Sequence, residues 1–120
     1  MRILVVEDDP LARQALRWIL EQDGHQVLAI GNGTAAVGMI AAFDPQVIIT
    51  DWQVPGLSGK QLCREIRRQK PDALMIVVSS ATEAFRSRVD VDARLRKPLD
   101  VAHLRELLAH ASHDERAFSR

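Results

Sequence analysis

Four short apolar runs without alternation punctuate the chain: Ile3-Leu4-Val5-Val6, Val27-Leu28-Ala29-Ile30, Val47-Ile48-Ile49 and Leu74-Met75-Ile76-Val77-Val78. Runs of this length, rich in β-branched residues, suit strands covered on both faces. They predict strands over residues 2–6, 26–30, 46–50 and 74–78. A shorter, less apolar fifth strand is expected over 93–96. Between the runs a helical period takes over. Ala12, Ala15, Leu16 and Ile19 share one face, with Arg13, Arg17 and Glu21 on the other. Asp9 before Pro10 reads as an N-cap and a first-turn proline, and Gly24 as the stop.

A second helix places Ala36, Met39, Ile40 and Phe43 together, after the turn Gly31-Asn32-Gly33 with Thr34 as its cap. Asp44-Pro45 ends it. Ser58 caps a third helix with Leu62, Cys63 and Ile66 inside and Lys60, Arg64, Arg67, Arg68 and Lys70 outside. Residues 82–91 are polar and weakly periodic, enough for a short helix at most. Asp100 caps a last helix carrying Val101, Leu104, Leu108 and Ala111 on one face, and residues 113–120 read as a polar tail. Trp18 and Phe43 are expected to pack inside. Trp52 reads as an exposed loop aromatic that shades its neighbour Asp51 or meets a partner.

Strands alternating with helices define an α/β chain whose sheet is parallel and covered on both sides. Right-handed crossovers make it a doubly wound three-layer sandwich of five strands and about five helices, the fourth short or irregular. One domain over residues 1–111 accounts for the pattern. Residues 112–120 are a C-terminal tail or the start of a linker to an output domain.

Bulk composition narrows the function classes. Formal net charge is zero over 120 residues, which argues against a generally basic nucleic-acid surface. The apolar N-terminal run is too short for a signal peptide or a membrane span, and acids follow at once. The single cysteine, Cys63, excludes an intrachain disulfide and reads as core packing. A cytoplasmic protein is the expectation. His103, His110 and His113 have no acidic or thiol partners at ligand spacing and read as solvated.

The candidate chemistry lies at strand ends. The first strand runs into Glu7-Asp8, the third into Asp51, the fourth into Ser79-Ser80 and the fifth into Lys97. A parallel sheet brings all its C-terminal ends to one edge, where α/β folds bind ligands. Glu7, Asp8 and Asp51 would repel one another there unless a hard cation sat among them, and Mg²⁺ suits an open carboxylate site. Lys97 adds a fixed positive charge and Ser80 a hydroxyl donor. Together they describe a phosphoryl-binding site in which Asp51 is the candidate nucleophile.

Four segments, in order and each at a strand end, carry a family resemblance: Ile3-Leu4-Val5-Val6-Glu7-Asp8-Asp9, Ile48-Ile49-Thr50-Asp51 with Pro55-Gly56 and Ser58-Gly59, Val77-Val78-Ser79-Ser80-Ala81, and Leu95-Arg96-Lys97-Pro98-Leu99. The chain resembles the receiver domain of two-component response regulators to about residue 111. The resemblance implies a flavodoxin-like fold with sheet order 2-1-3-4-5. It implies Asp51 as phosphoacceptor, Asp8 and Asp51 as Mg²⁺ ligands with Glu7 acting through water, and the backbone carbonyl of Gln53 as the third protein ligand. Ser80 resembles the switch hydroxyl and Lys97 its lysine partner, with a cis bond before Pro98. A histidine kinase or histidine phosphotransfer protein would supply the phosphoryl group, and an output domain or downstream protein would receive the signal. No direct nucleic-acid or membrane binding is implied for the domain. If it dimerises, the first and last helices are the expected surface.

Two departures stand out. The segment between Ser80 and Lys97 is several residues shorter than the family norm. Arg94 occupies the position where the family often has an aromatic residue that flips on activation. Both leave open a rival: a pseudo-receiver, an interaction domain that keeps the fold and signals without phosphorylation. Other chemistries fit less well. A haloacid-dehalogenase-type phosphatase would want an acid where Gln53 stands. A flavin site would want a phosphate-cradling loop where Glu7-Asp8-Asp9 repels phosphate.

Overall fold

A computed structural model describes the backbone of residues 1–118 and side chains through Ala111. Five strands alternate with five helices: β1 (Arg2–Val6), α1 (Pro10–Gln22), β2 (Gln26–Ile30), α2 (Gly33–Phe43), β3 (Val47–Asp51), α3 (Gly59–Gln69), β4 (Leu74–Ser79), α4 (Glu83–Arg86), β5 (Ala93–Arg96) and α5 (Val101–Phe118). All strand pairs are parallel, in the order β2-β1-β3-β4-β5. The expected sheet order and the short fourth helix are both present.

Alternation along each strand divides the apolar residues between two cores. Ile3, Val5, Val47, Ile49, Ile76, Val78 and Leu95 face one side, where Leu20 of α1 and Leu104 and Leu108 of α5 cover them. Leu4, Val6, Ile48, Met75 and Val77 face the other, under Ala36 and Ile40 of α2, Leu62, Cys63 and Ile66 of α3, and Ala84 of α4. The central strands are buried on both faces, so their sequences show no polar alternation.

The helix boundaries follow local chemistry. The Asp9 carboxylate accepts from the Leu11 amide at 3.2 Å, with Pro10 beginning α1. Ser58 and Gln61 form a reciprocal capping box at the start of α3, at 3.2 and 3.0 Å. Asp100 accepts from the Ala102 and His103 amides before α5. α2 is capped by Asn32, not by Thr34: the Asn32 side chain accepts from the Ala35 amide at 3.0 Å, and Thr34 lies within the first turn.

Several placements differ from the sequence reading. α5 continues to Phe118, through residues assigned there to a polar tail; the side chain of His113 lies outside the described residues. Met39 is 40% exposed because the core side of α2 is taken by Ala36 and Ile40. Ala15 is also exposed. The two tryptophans exchange their expected roles. Trp18 is 64% exposed on α1, where Leu20 fills the core position, whereas Trp52 is 4% exposed and belongs to the α2–α3 core. Gly59 makes room for it: a Cβ there would lie 2.4 Å from the Trp52 ring.

Candidate functional site

The strand register brings the candidate groups together. Val6 pairs with Thr50, Asp51 with Val78, and Ser79 with Arg96. The next residues of β1, β4 and β5 therefore emerge at the same sheet edge as Asp51. Two backbone bonds hold this edge: the Glu7 amide donates to the Ile30 carbonyl at 3.0 Å, and the Lys97 amide to the Ser79 carbonyl at 3.2 Å.

Glu7, Asp8 and Asp51 each offer a carboxylate oxygen within 4.8 Å of the others. The Lys97 ammonium lies beside two of them, 2.6 Å from Asp51 Oδ2 and 3.0 Å from Glu7 Oε1. The other Asp51 oxygen, Oδ1, accepts from the Gln53 amide at 3.2 Å, which draws the loop after β3 toward the acid. Thr50, itself buried, donates its hydroxyl to the Asp51 carbonyl at 2.9 Å. The Lys97–Pro98 peptide bond is cis. The cluster opens into a cleft of about 400 Å³ between α1 and the start of α5, floored by Val5, Ile49 and Val78.

The electrostatics are uneven. Glu7 is buried, and desolvation raises its carboxyl above the ordinary 4.5, with Lys97 opposing and Asp51 reinforcing the shift. Burial acts to lower the Lys97 ammonium, but hydrogen bonds and charge from Asp51 and Glu7 outweigh it and hold it above 10.5. One lysine thus faces three carboxylates, leaving the local charge negative. Glu7 Oε2 is also buried without a hydrogen-bond partner. An unpartnered carboxylate oxygen beside two further acids is a donor set that suits a hard, oxygen-seeking cation.

Ser80 follows β4 at the same edge and is exposed, outside the Lys97 contacts. Gln53 is exposed as well, with its backbone adjoining Asp51. The sequence reading missed Arg13, which it assigned to the solvent side of α1. Its guanidinium donates to the carbonyls of Glu7 at 2.9 Å and Asp8 at 3.3 Å, tying α1 to the acidic turn. No sequence signal distinguishes it from Arg17, one turn later, which pairs with Glu21. Cys63 is buried, its thiol pushed up to about 11 by desolvation, as expected of a packing residue. His103 and His110 are exposed, also as expected.

A five-stranded parallel sheet of this order, with three acids and a lysine at its C-terminal edge, defines the class as a flavodoxin-like module with an acidic, cation-ready crevice. Residues 3–109 match the family model described as the response regulator receiver domain, and the chain belongs to that family. Response regulator MprA of Mycobacterium avium is 38% identical over 114 residues, covering 91% of this chain and 48% of that protein. The positive alginate biosynthesis regulatory protein of Pseudomonas aeruginosa is 34% identical over 123 residues, covering 97% and 49%. The chain spans about half the length of these curated relatives. Among solved structures, a receiver domain protein of Clostridium thermocellum superposes with a TM-score of 0.88 at 25% identity, over 98% of both chains. Response regulator TrrA of Thermotoga maritima, in complex with Mg²⁺-BeF, gives 0.83 at 28% identity over 92% of this chain and 97% of that one. Among the described residues no helix is long and apolar enough to cross a membrane.

Proposed function

We propose that the chain is a phosphoacceptor module in which Asp51 receives a phosphoryl group from a histidine kinase or a histidine phosphotransfer protein. The observation that carries this reading is the convergence of Glu7, Asp8 and Asp51 within 4.8 Å, with Lys97 on Asp51 and one Glu7 oxygen unpartnered. Asp8, Asp51 and the backbone carbonyl of Gln53 would hold Mg²⁺, with Glu7 reaching it through water. The cation would neutralise the acids and the charge developing on the transferring group. The structural neighbour TrrA was solved in complex with Mg²⁺-BeF, which supports a Mg²⁺-dependent reading.

In the forward step an Asp51 carboxylate oxygen attacks phosphorus as the phosphorus–nitrogen bond to the donor imidazole breaks. The electron pair stays with the imidazole, and Asp51 becomes an acyl phosphate. In the reverse direction of the switch, water attacks phosphorus, the Asp51 oxygen–phosphorus bond breaks, inorganic phosphate leaves and the carboxylate returns. Lys97 would transfer its contact from Asp51 to a phosphoryl oxygen, and the Ser80 hydroxyl would donate a second hydrogen bond. The added charge would then bias the β4–α4 segment and alter binding to an output domain or downstream protein. The short α4 and Arg94 favour the non-phosphorylating rival, whereas the intact acid–lysine geometry weighs against it.

The test is intact mass after incubation with a small phosphoryl donor and Mg²⁺. Wild type should gain one phosphoryl group and Asp51→Asn none. An unchanged wild-type mass would leave the interaction-domain reading in place.

A further inference from the structure

The described lysines and arginines fall into two groups. Most hold a carboxylate, a backbone carbonyl or, for Arg96, the Phe85 ring. Lys60, Arg64, Arg86 and Arg88 hold none of these, and all four line the same groove of about 340 Å³ between α3 and α4. Glu83 and Ser87 complete its lining, and the buried Ser87 hydroxyl has no hydrogen-bond partner. On a chain of zero net charge, every free cation among the described side chains thus gathers at one place.

Four cations against one acid make a strongly positive local field, and mutual repulsion disfavours it unless a counter-charge is present. Guanidinium forks match carboxylates in pairs. No aromatic or large apolar residue lines the groove, so a nucleobase would find nothing to stack on. Carboxylates on a peptide backbone need no such platform. We propose that this α3–α4 groove docks an acidic segment of a partner protein, one that presents several carboxylates to Lys60, Arg64, Arg86 and Arg88. Two of the cations belong to α3 and two to α4 and the residues after it, so the position of α4 sets the spacing the segment must match. Glu83, the one acid in the lining, would repel an incoming carboxylate. It also lines the neighbouring cleft that contains Asp8 and Trp52, placing the groove beside the acidic site.

Anisotropy of a fluorescein-labelled peptide of alternating Glu and Gly, titrated with the full chain at physiological ionic strength, tests the proposal. Saturable binding is expected. It should weaken about tenfold or more in the triple variant Arg64→Ala/Arg86→Ala/Arg88→Ala. The charge-matched variant Arg2→Ala/Arg17→Ala/Arg105→Ala should bind like wild type, and Glu83→Gln should bind more tightly. Circular dichroism melts confirm that each variant is folded, and the Glu83→Gln gain does not depend on the triple variant. Equal weakening in both triple variants, absence of saturable binding, no gain in Glu83→Gln, or tighter binding of a charge-matched single-stranded oligonucleotide would each overturn it.

Discussion

Lys97 Nζ lies 2.6 Å from Asp51 Oδ2, joining the end of β5 to the end of β3 across the intervening β4. The same ammonium bonds Glu7 at 3.0 Å, so one cation restrains two carboxylates with side-chain exposures of 11% and 9%. Lys97→Met would leave those acids facing each other. The ammonium is itself about a third exposed, so the expected cost at pH 7 is toward the lower end for a broken buried pair, about 1–2 kcal/mol. Because the folded Lys97 pKa is raised, its contribution is fully present below 10.5 and is lost only as pH rises through the folded value. The deficit of the variant should therefore be steady from neutral to mildly alkaline pH. It should shrink in acid, as Glu7, whose pKa burial raises, becomes protonated. Urea denaturation across pH checks this, and a deficit that grew on acidification would contradict the pairing.

Glu7→Gln should separate stability from cation binding. The folded Glu7 pKa is raised mainly by burial, so its titration favours the fold below 4.5, and that contribution is lost as pH rises through the folded value. At neutral pH an ionised, half-partnered Glu7 costs the metal-free protein stability. The amide should restore on the order of 1 kcal/mol, with the advantage opening as pH rises. If Glu7 acts on bound Mg²⁺ through water, affinity should fall about 10–100-fold in the same variant. Denaturation without metal and a Mg²⁺ titration measure the two effects. A variant less stable without metal would reject the account of Glu7.

The tryptophans provide the optical readout for such titrations. Trp18 is 64% exposed on α1 and Trp52 is 4% exposed beside Asp51. Acrylamide should quench the first and spare the second. A fluorescence change on adding Mg²⁺ should survive Trp18→Phe and disappear in Asp51→Asn. A response lost in Trp18→Phe instead would place the reporter on α1, away from the acids.

β1, β3 and β4 were legible because burial on both faces leaves unbroken apolar runs, and Glu7, Asp8 and Asp51 because those runs stop at acids, whereas Lys97 follows the mixed Ala93-Arg94-Leu95-Arg96 strand and was legible through the Lys97-Pro98 motif. What the pattern could not separate were residues whose environment is set by tertiary neighbours. Trp18 sits at a helix position one turn from apolar residues, yet Leu20 fills the core there. Trp52 stands in a loop of turn formers, yet Gly59 leaves space for its ring. Arg13 looks like any solvated arginine until β1 brings the carbonyls of Glu7 and Asp8 beneath it. The basic outer face of α3 likewise concealed two kinds of cation: Arg67, fully engaged, and Arg64, free.

Arg67 fastens three segments at once. Its guanidinium donates to the carbonyls of Pro71 at 3.0 Å, Ala73 at 2.8 Å and Asp90 at 3.1 Å, and pairs with Asp92 at 3.0 Å; the side chain is 15% exposed. Asp92 in turn accepts from the Met75 amide at 2.8 Å. Arg67→Ala should cost about 1–2 kcal/mol, because four acceptors lose their donor together although only the Ala73 carbonyl among them is part-buried. Arg67→Lys should recover little of it, since a single ammonium cannot span the fork. Chemical denaturation of the two variants decides this, and near-wild-type stability for the lysine variant would show that charge alone suffices.

Arg94 holds the shortened segment itself. The half-buried guanidinium donates to the carbonyls of Ser87 at 3.0 Å and Val89 at 3.1 Å, while its Nε is buried without a partner. The β5 side chain therefore binds the chain that follows α4, where Val89 and Val91 also pack against the core. If the two hydrogen bonds control the loop, Arg94→Met should keep the apolar stem and free the carbonyls. Amides of residues 87–91 should then exchange faster, while those of β1 and β3 keep their protection, because local opening need not involve the sheet. If packing of Val89 and Val91 controls it, exchange in the segment should stay as in wild type. Uniformly faster exchange through β1 and β3 would mean that Arg94 supports the whole fold. Hydrogen exchange resolved by residue separates the three outcomes. Only the first makes Arg94 the element that couples β5 to α4, in the place where the sequence lacks an aromatic side chain.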